Sequence, residues 1–158
     1  MLTAHLPSGY IAARLAPRGI PAAMPVALIA SVLPDFDMIW FLFVDHGSIH
    51  HHRYWVHIPI FWAAMAAVTL PLLAWRGWLS TGLLFFAVIF LHLVLDSIGG
   101  GIMWAAPFDT RLHALVEVPA NYGHWIASFI LHWTFLAELA IWIWAYTLWQ
   151  TRGREVRA

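Results

Sequence analysis

The sequence contains no cysteine and no lysine, and only 10% of its 158 residues are charged. Without cysteine there is neither a disulfide framework nor a thiolate metal site, so any metal must be bound by histidine nitrogen and carboxylate oxygen. Soluble domains carry about 25% charged residues, whereas this chain is 62% hydrophobic. The composition therefore predicts a membrane protein. The formal net charge is zero, so we expect no nucleic-acid partner.

Long apolar stretches indicate the fold class. Three of them, residues 54–75, 78–95 and 125–149, contain no charged residue other than Glu138. Each is long enough to cross a hydrocarbon core of about 30 Å as a helix. We therefore predict an all-α, polytopic membrane helical bundle with three clear spans, built as a single domain over residues 1–158. The oligomeric state is left open.

The chain before these spans is predicted to form a broken helical hairpin. Residues 19–44 are also long enough to cross a bilayer, but Pro34 moves the residue before it away from the helical region. A helix should stop there and restart at Pro34-Asp35. Broken helices occur at membrane depth where they line a polar cavity. Residues 1–16 should form a short helix packed on the bundle.

Counting along the predicted helices places polar residues of five segments in one layer. If Arg18, Arg76 and Arg152 mark one membrane face, a rise of about 1.5 Å per residue puts these side chains about 20–30 Å above it. They are His5, Asp35, His57, His92, Asp96, His132 and Glu138. Six arginines belong to the Arg76 face and two to the other. The positive-inside rule then predicts a cytoplasmic Arg76 face and a site on the periplasmic side.

Asp35 and Asp37 interrupt an apolar stretch, where an unpaired carboxylate would cost several kcal/mol. Residues two apart in a regular helix point in different directions. Both can face one metal ion only if Pro34 makes the backbone irregular. We predict both as metal ligands. The alternative is an acidic pair that begins a second helix.

Four histidines and Arg53 lie between residues 50 and 57. Neutral imidazole binds Zn, Mn or Fe. We predict His57 as a ligand and His52 as a further ligand on the loop before the helix. Arg53 is predicted to act in catalysis by holding a phosphate or carboxylate with its planar guanidinium. The alternative is a wet interfacial loop with Arg53 as a surface anchor.

His92 and Asp96 are four residues apart and therefore share one helix face. This spacing suits two metal ligands, or a ligand histidine oriented by a carboxylate. A buried hydrogen bond that only joins helices is the alternative. His5 is predicted as a ligand because of its depth. Glu138 is predicted as a catalytic general base, with a ligand or a buried hydrogen-bond partner as alternatives.

The order of these motifs resembles the YdjM-like family of inner-membrane proteins, described as membrane-bound metal-dependent hydrolases. The matching positions are Ala4-His5, Pro34-Asp35-Phe36-Asp37, His52-Arg53 with His57, His92 with Asp96, and Pro107-Phe108. Val56 and Ile58 depart from the family pattern, which has Thr and Ser there. The resemblance implies a bacterial inner-membrane location and hydrolase activity. A similarity of the Asp and His pattern to zinc-dependent phospholipases implies phosphodiester chemistry.

Together these features predict a membrane-embedded metal-dependent hydrolase. Its substrate would be a lipid or lipid-linked molecule, such as a phosphoester, reached from the bilayer. The cofactor would be one or two divalent ions, with Zn first and Mn or Fe as alternatives. A non-catalytic metal-binding or metal-transport protein is the rival, although transporters usually carry paired broken helices. A structural membrane protein whose polar residues only join helices is a third possibility.

Overall fold

The computed structural model describes residues 3–155, including all of their side chains except those of 125 and 152–155. The described part of the chain forms seven α-helices and no strand, which confirms the all-α class. The helices are α1 (His5–Leu15), α2 (Ala23–Val32), α3 (Asp37–Phe43), α4 (Pro59–Trp75), α5 (Leu79–Asp96), α6 (Trp125–Ile130) and α7 (Thr134–Glu155). Three short 3-10 turns lie at Pro34–Phe36, His51–Arg53 and Trp55–His57.

Helix α5 is the centre of the bundle and packs against α1, α2 and α4. It has no charged residue before Asp96, and its apolar side chains Val88, Ile89 and Leu93 are almost completely buried. With 18 residues and a mean hydropathy of 2.1, it is long and apolar enough to cross a membrane. Within residues 3–155, no other single helix meets both conditions.

The prediction of three clear spans is not confirmed. Helix α4 has only 17 residues, because a 3-10 turn at Trp55–His57 delays its start to Pro59. Proline suits this first helical position, where its missing N–H costs nothing. The stretch 125–149 is also divided. Helix α6 ends at Ile130 and α7 begins at Thr134, whose N–H donates to His132 Nδ1 at 3.4 Å.

The predicted break at Pro34 is present. Helix α2 ends at Val32, a 3-10 turn follows, and α3 continues at an angle of 47°. The short helix α1 packs on α2 through Gly9, where a Cβ would lie 2.7 Å from the Ala27 carbonyl oxygen and 2.6 Å from Ser31 Cβ. Only glycine permits so close an approach. Helix α2 also packs against α5, where the Ser31 carbonyl contacts His92.

Helix directions bring the polar termini to one end of the bundle. His5 begins α1, the Pro34–Phe36 turn follows α2, His57 precedes α4 and Asp96 ends α5. Since these helices pack together and are joined by short connections at their other ends, the four termini meet. The structure thus brings together five side chains of the predicted layer, His5, Asp35, His57, His92 and Asp96. Of the other two, His132 contacts Thr134 and Glu138 contacts Thr3. Arg18 and Arg76 lie on the connections at the opposite end.

Candidate metal centre

Four side chains form a compact group, called the tetrad here: His5, Asp35, His92 and Asp96. One ligand atom of each lies within 4.8 Å of the others. They come from α1, the 3-10 turn after α2, and α5. Three of them are buried, whereas the Asp35 side chain is 33% exposed. The tetrad therefore combines two imidazoles and two carboxylates and is open on the Asp35 side.

The Asp96 carboxylate faces four imidazoles. Asp96 Oδ1 lies 2.9 Å from His5 Nε2, and Oδ2 lies 3.0 Å from His92 Nε2. The Nε2 atoms of His57 and His52 lie 3.5 and 3.6 Å from the same Oδ2. Four predicted histidine ligands are thus brought together around a fifth predicted ligand, Asp96, and the five come from three separate parts of the chain.

Three of these histidines are held by their outer ring nitrogen. His92 Nδ1–H donates to the Ser31 carbonyl, and His52 Nδ1–H donates to the Gly101 carbonyl, each at 2.8 Å. His57 Nδ1–H donates to Asp37 Oδ2, also at 2.8 Å. Metal-binding histidines almost always make such a bond, because it fixes the tautomer and leaves the other nitrogen free to bind. In the neutral form, all three Nε2 atoms would present lone pairs to the centre.

The environment also keeps two histidines of the 50–57 segment neutral. Burial lowers the pKa of His52 to about 4, against the opposing attraction of Asp96. Burial and the neighbouring His52 likewise lower the pKa of His51 to about 4. Both shifts favour the neutral imidazole, which is the form that binds metal. His57 differs, because burial, which lowers its pKa, is outweighed by hydrogen bonds to Asp35, Asp37 and Asp96, which raise the pKa to about 10.

Asp35 and Asp37 approach the cluster from different sides. Asp35 Oδ1 lies 3.7 Å from His92 Nε2 and 3.8 Å from His57 Nε2, on the inner side. Asp37 instead contacts the outer nitrogen of His57. The two carboxylates, which flank the 3-10 turn residue Phe36, therefore contact opposite nitrogens of the His57 ring. The contact suits Asp37 as an orienting partner of His57, and its role as a direct ligand stays a prediction.

The two predicted catalytic side chains lie outside the tetrad. Arg53 is exposed, at the edge of the cluster next to buried His52. Glu138 is fully buried on α7, and its Oε2 accepts hydrogen bonds from the Thr3 N–H at 2.9 Å and from the Thr3 hydroxyl at 2.5 Å. Because Thr3 precedes His5 by two residues, Glu138 anchors the segment that positions His5. Catalytic roles for Arg53 and Glu138 stay predictions.

Two contributors were not predicted from sequence. His51 joins His52 and His57 in a second compact group. The run of three consecutive histidines could have indicated His51 as a ligand, but only His52 of that run is predicted as one. Gly100 leaves room for His52, since a Cβ there would lie 2.9 Å from His52 Nδ1. The Gly99-Gly100-Gly101 run was a possible sign of this close approach.

The comparisons with known proteins are consistent with an inner-membrane setting. No curated protein and no solved structure matches the chain. The sequence model of one family, described as YdjM inner membrane protein, matches residues 1–155. This match covers all the residues of the tetrad and nearly the whole chain. The protein therefore belongs to the YdjM family of inner membrane proteins.

Proposed function

We propose that this protein is a multi-pass inner-membrane hydrolase that depends on a divalent metal ion and acts on a lipid or lipid-linked substrate. The observation that carries the proposal is the tetrad, two imidazoles and two carboxylates gathered within 4.8 Å at one end of an apolar bundle. Burying so many ionisable groups without a counter-ion is costly. A cation is the simplest group that satisfies them together.

The residues fit such an ion. His5, Asp35, His92 and Asp96 would hold it, and their nitrogen and oxygen atoms suit Zn, Mn or Fe. The bond from His92 Nδ1 to the Ser31 carbonyl already sets the binding tautomer. A divalent ion in such a site supplies an activated water near pH 7 and polarises the bond to be broken.

The chain itself would bind and orient the substrate. Asp35 is the exposed member of the tetrad, so a headgroup would enter on its side. Arg53 is exposed and follows buried His52 in the chain, and its guanidinium could hold a phosphate through paired hydrogen bonds. The connection between α5 and α6 covers the cluster and supplies the Gly101 carbonyl that fixes His52. Its buried Ile102 and Met103 would help exclude bulk water.

The membrane arrangement follows from the same bundle. In the proposal α4 and α7 cross the bilayer beside α5, although neither helix passes as a span by length and composition alone. The six-to-two distribution of arginines puts the Arg76 end in the cytoplasm and the metal centre near the periplasmic surface. A lipid substrate could then keep its hydrocarbon tail in the bilayer while its headgroup reaches the tetrad.

Hydrolysis can be tested with the full chain in phospholipid vesicles after Zn²⁺ or Mn²⁺ loading. We expect release of a water-soluble headgroup product that stops on chelation and returns when metal is restored. Asp35→Asn should abolish release, whereas Asp109→Asn, in an exposed loop, should not. Loaded protein that releases no product from any phospholipid or lipid-linked phosphate would favour the rival, a non-catalytic metal-binding protein.

The topology can be tested separately because the chain has no cysteine. Ser48 and Thr151 are both exposed and lie at opposite ends of the proposed bundle. A cysteine at Ser48 should react with a membrane-impermeant thiol reagent in intact cells, and one at Thr151 only after lysis. The reverse pattern would overturn the orientation without affecting the metal centre.

A further inference from the structure

A second group of histidines lies beside the tetrad and shares no residue with it. This trio consists of His51, His52 and His57, and one nitrogen of each lies within 4.8 Å of the others. His52 and His57 are buried and His51 is partly buried. Their rings are close, with centroids 4.1 Å apart for His51 and His52 and 4.8 Å apart for His52 and His57.

Two histidines of the trio have their outer ring nitrogens held by hydrogen bonds, as metal-binding histidines usually do. The outer nitrogens of His52 and His57 are held by the Gly101 carbonyl and by Asp37 Oδ2. A partner of this kind fixes the ring and raises its basicity as a ligand. His51 Nδ1 is buried and has no hydrogen-bond partner within the described part of the chain. An unused buried nitrogen beside two fixed imidazoles is a ligand position that a cation would satisfy.

When the imidazoles are neutral, their inward-facing nitrogens face other acceptors, and a proton or a metal cation must lie between them. With Nδ1 as donor, the Nε2 atoms of His52 and His57 carry lone pairs, yet both face the Asp96 carboxylate at 3.5–3.6 Å. His57 Nε2 also faces His92 Nε2 at 3.5 Å, where His92 is fixed in the same tautomer. Acceptors placed opposite one another repel, and the low dielectric of the interior strengthens the repulsion.

One ion cannot bind all of these possible ligand atoms. The tetrad and the trio together offer seven side chains, whereas Zn in proteins is almost always four-coordinate, with bonds of about 2.0–2.2 Å to nitrogen and oxygen. The contact between His57 and His92 at 3.5 Å joins the two groups. Two-metal hydrolytic sites hold their ions about 3.5–4 Å apart, so two ligand groups in direct contact can accommodate a pair of ions.

We propose that the trio holds a second divalent ion, next to the ion in the tetrad. This proposal deepens the metal centre proposed above and rests on it. The two positions differ in chemistry. The trio offers three imidazole nitrogens and no carboxylate, which favours Zn²⁺ over Mn²⁺, whereas the carboxylates of the tetrad accept either. The second ion would therefore load with Zn²⁺ and load poorly with Mn²⁺.

The test is the number of ions bound by the full-length protein in detergent, measured by elemental analysis after gel filtration. With Zn²⁺ we expect two ions per chain, and with Mn²⁺ one. His51→Ala should reduce Zn²⁺ to one per chain. Gly100→Ala should do the same without removing a ligand, since its Cβ would push His52 off the Gly101 carbonyl. Gly123→Ala, where the added Cβ meets no atom within 4 Å, is the matched control and should keep two.

The outcomes separate the two proposals. A wild-type protein that binds one Zn²⁺ would overturn the second site and leave the tetrad standing. Two ions in both His51→Ala and Gly100→Ala would also overturn it. Binding of no metal at all would remove both proposals. If His51→Ala fails to elute as a single species, the Gly100→Ala and Gly123→Ala pair decides the question.

Discussion

The tetrad and the trio gather similar ligands by opposite means. The tetrad joins α1, the turn after α2, and α5, which are far apart in the chain. The trio comes from one seven-residue segment, His51 to His57, folded as two successive 3-10 turns. The tetrad therefore depends on helix packing, whereas the trio depends on a few bonds that anchor a local segment. A substitution that disturbs helix packing should therefore affect the tetrad most, and one that removes an anchoring hydrogen bond should affect the trio most.

Charge separates the two groups as well. The tetrad contributes two carboxylates, which can neutralise a divalent ion, and the trio contributes only imidazoles. Asp96 faces both groups, since its Oδ2 lies near His92, His57 and His52. Asp37 also approaches the trio, at the outer nitrogen of His57, so the trio draws its negative charge from carboxylates outside its own three side chains. This asymmetry sets the order of the expected effects.

The largest effect is expected for Asp96→Asn, which should remove both ions. The substitution keeps the shape of the side chain but removes the charge shared by four imidazoles. Loss of an orienting partner costs about 10–100-fold in metal affinity, and loss of a shared ligand should cost more. Elemental analysis of purified protein measures this. Asp109→Asn should have no effect, because Asp109 pairs with Arg111 in an exposed loop. Full metal content in Asp96→Asn would contradict the central role of this carboxylate.

Gly9→Ala should damage the tetrad through packing alone. Its Cβ would meet the Ala27 carbonyl, a backbone atom that cannot rotate away. Overpacking of this kind costs about 1–3 kcal/mol, and α1 would move His5 away from Asp96. We expect a lower unfolding temperature and loss of the tetrad ion, measured by thermal unfolding and Mn²⁺ content. Gly82→Ala is the control, since its Cβ would meet only the flexible ends of Leu70 and Leu73. Equal effects of the two substitutions would argue against this account.

Asp37→Asn should weaken the trio and spare the tetrad. Asp37 holds the outer nitrogen of His57, so its neutralisation should reduce Zn²⁺ affinity at the trio by about 10–100-fold. Competition with a chromogenic chelator measures this affinity. Asp45→Asn is a matched control, because Asp45 accepts from the Tyr54 hydroxyl instead. A complete loss of Mn²⁺ from Asp37→Asn would instead indicate that Asp37 is a direct ligand of the tetrad ion.

Glu138→Gln should have the smallest effect on metal content. Its oxygen anchors Thr3, and a glutamine oxygen can still accept from the Thr3 N–H. We expect both ions to remain, and hydrolysis to fall only slightly if Glu138 is an anchor. A large loss of activity with full metal content would support the predicted role of general base. Activity and metal content must be measured on the same preparation.

The residues of α5 show how much could be predicted from sequence. His92 and Asp96 lie four apart in a long apolar stretch, and a regular helix places them on one face. The break at Pro34 was predicted for a similar reason, because proline constrains the residue before it whatever surrounds it. The start of α4 at Pro59 was not predicted from the sequence. The residues from Tyr54 to Ile58 carry no Asp, Glu, Lys or Arg, like the helix that follows, but Trp62 Nε1 donates to the Val56 carbonyl at 2.7 Å and satisfies the turn.

The sequence by itself determined the kind of site: without cysteine, ligands had to be histidine and carboxylate, and their positions within apolar stretches implied burial. Only the tertiary structure decided how these ligands divide into a tetrad and a trio, and which nitrogen of each ring faces inward. Those choices depend on the Ser31 and Gly101 carbonyls, which act on His92 and His52 across 61 and 49 residues. Every residue has a backbone carbonyl, so no side-chain pattern marks the ones that matter. Their positions follow from helix packing.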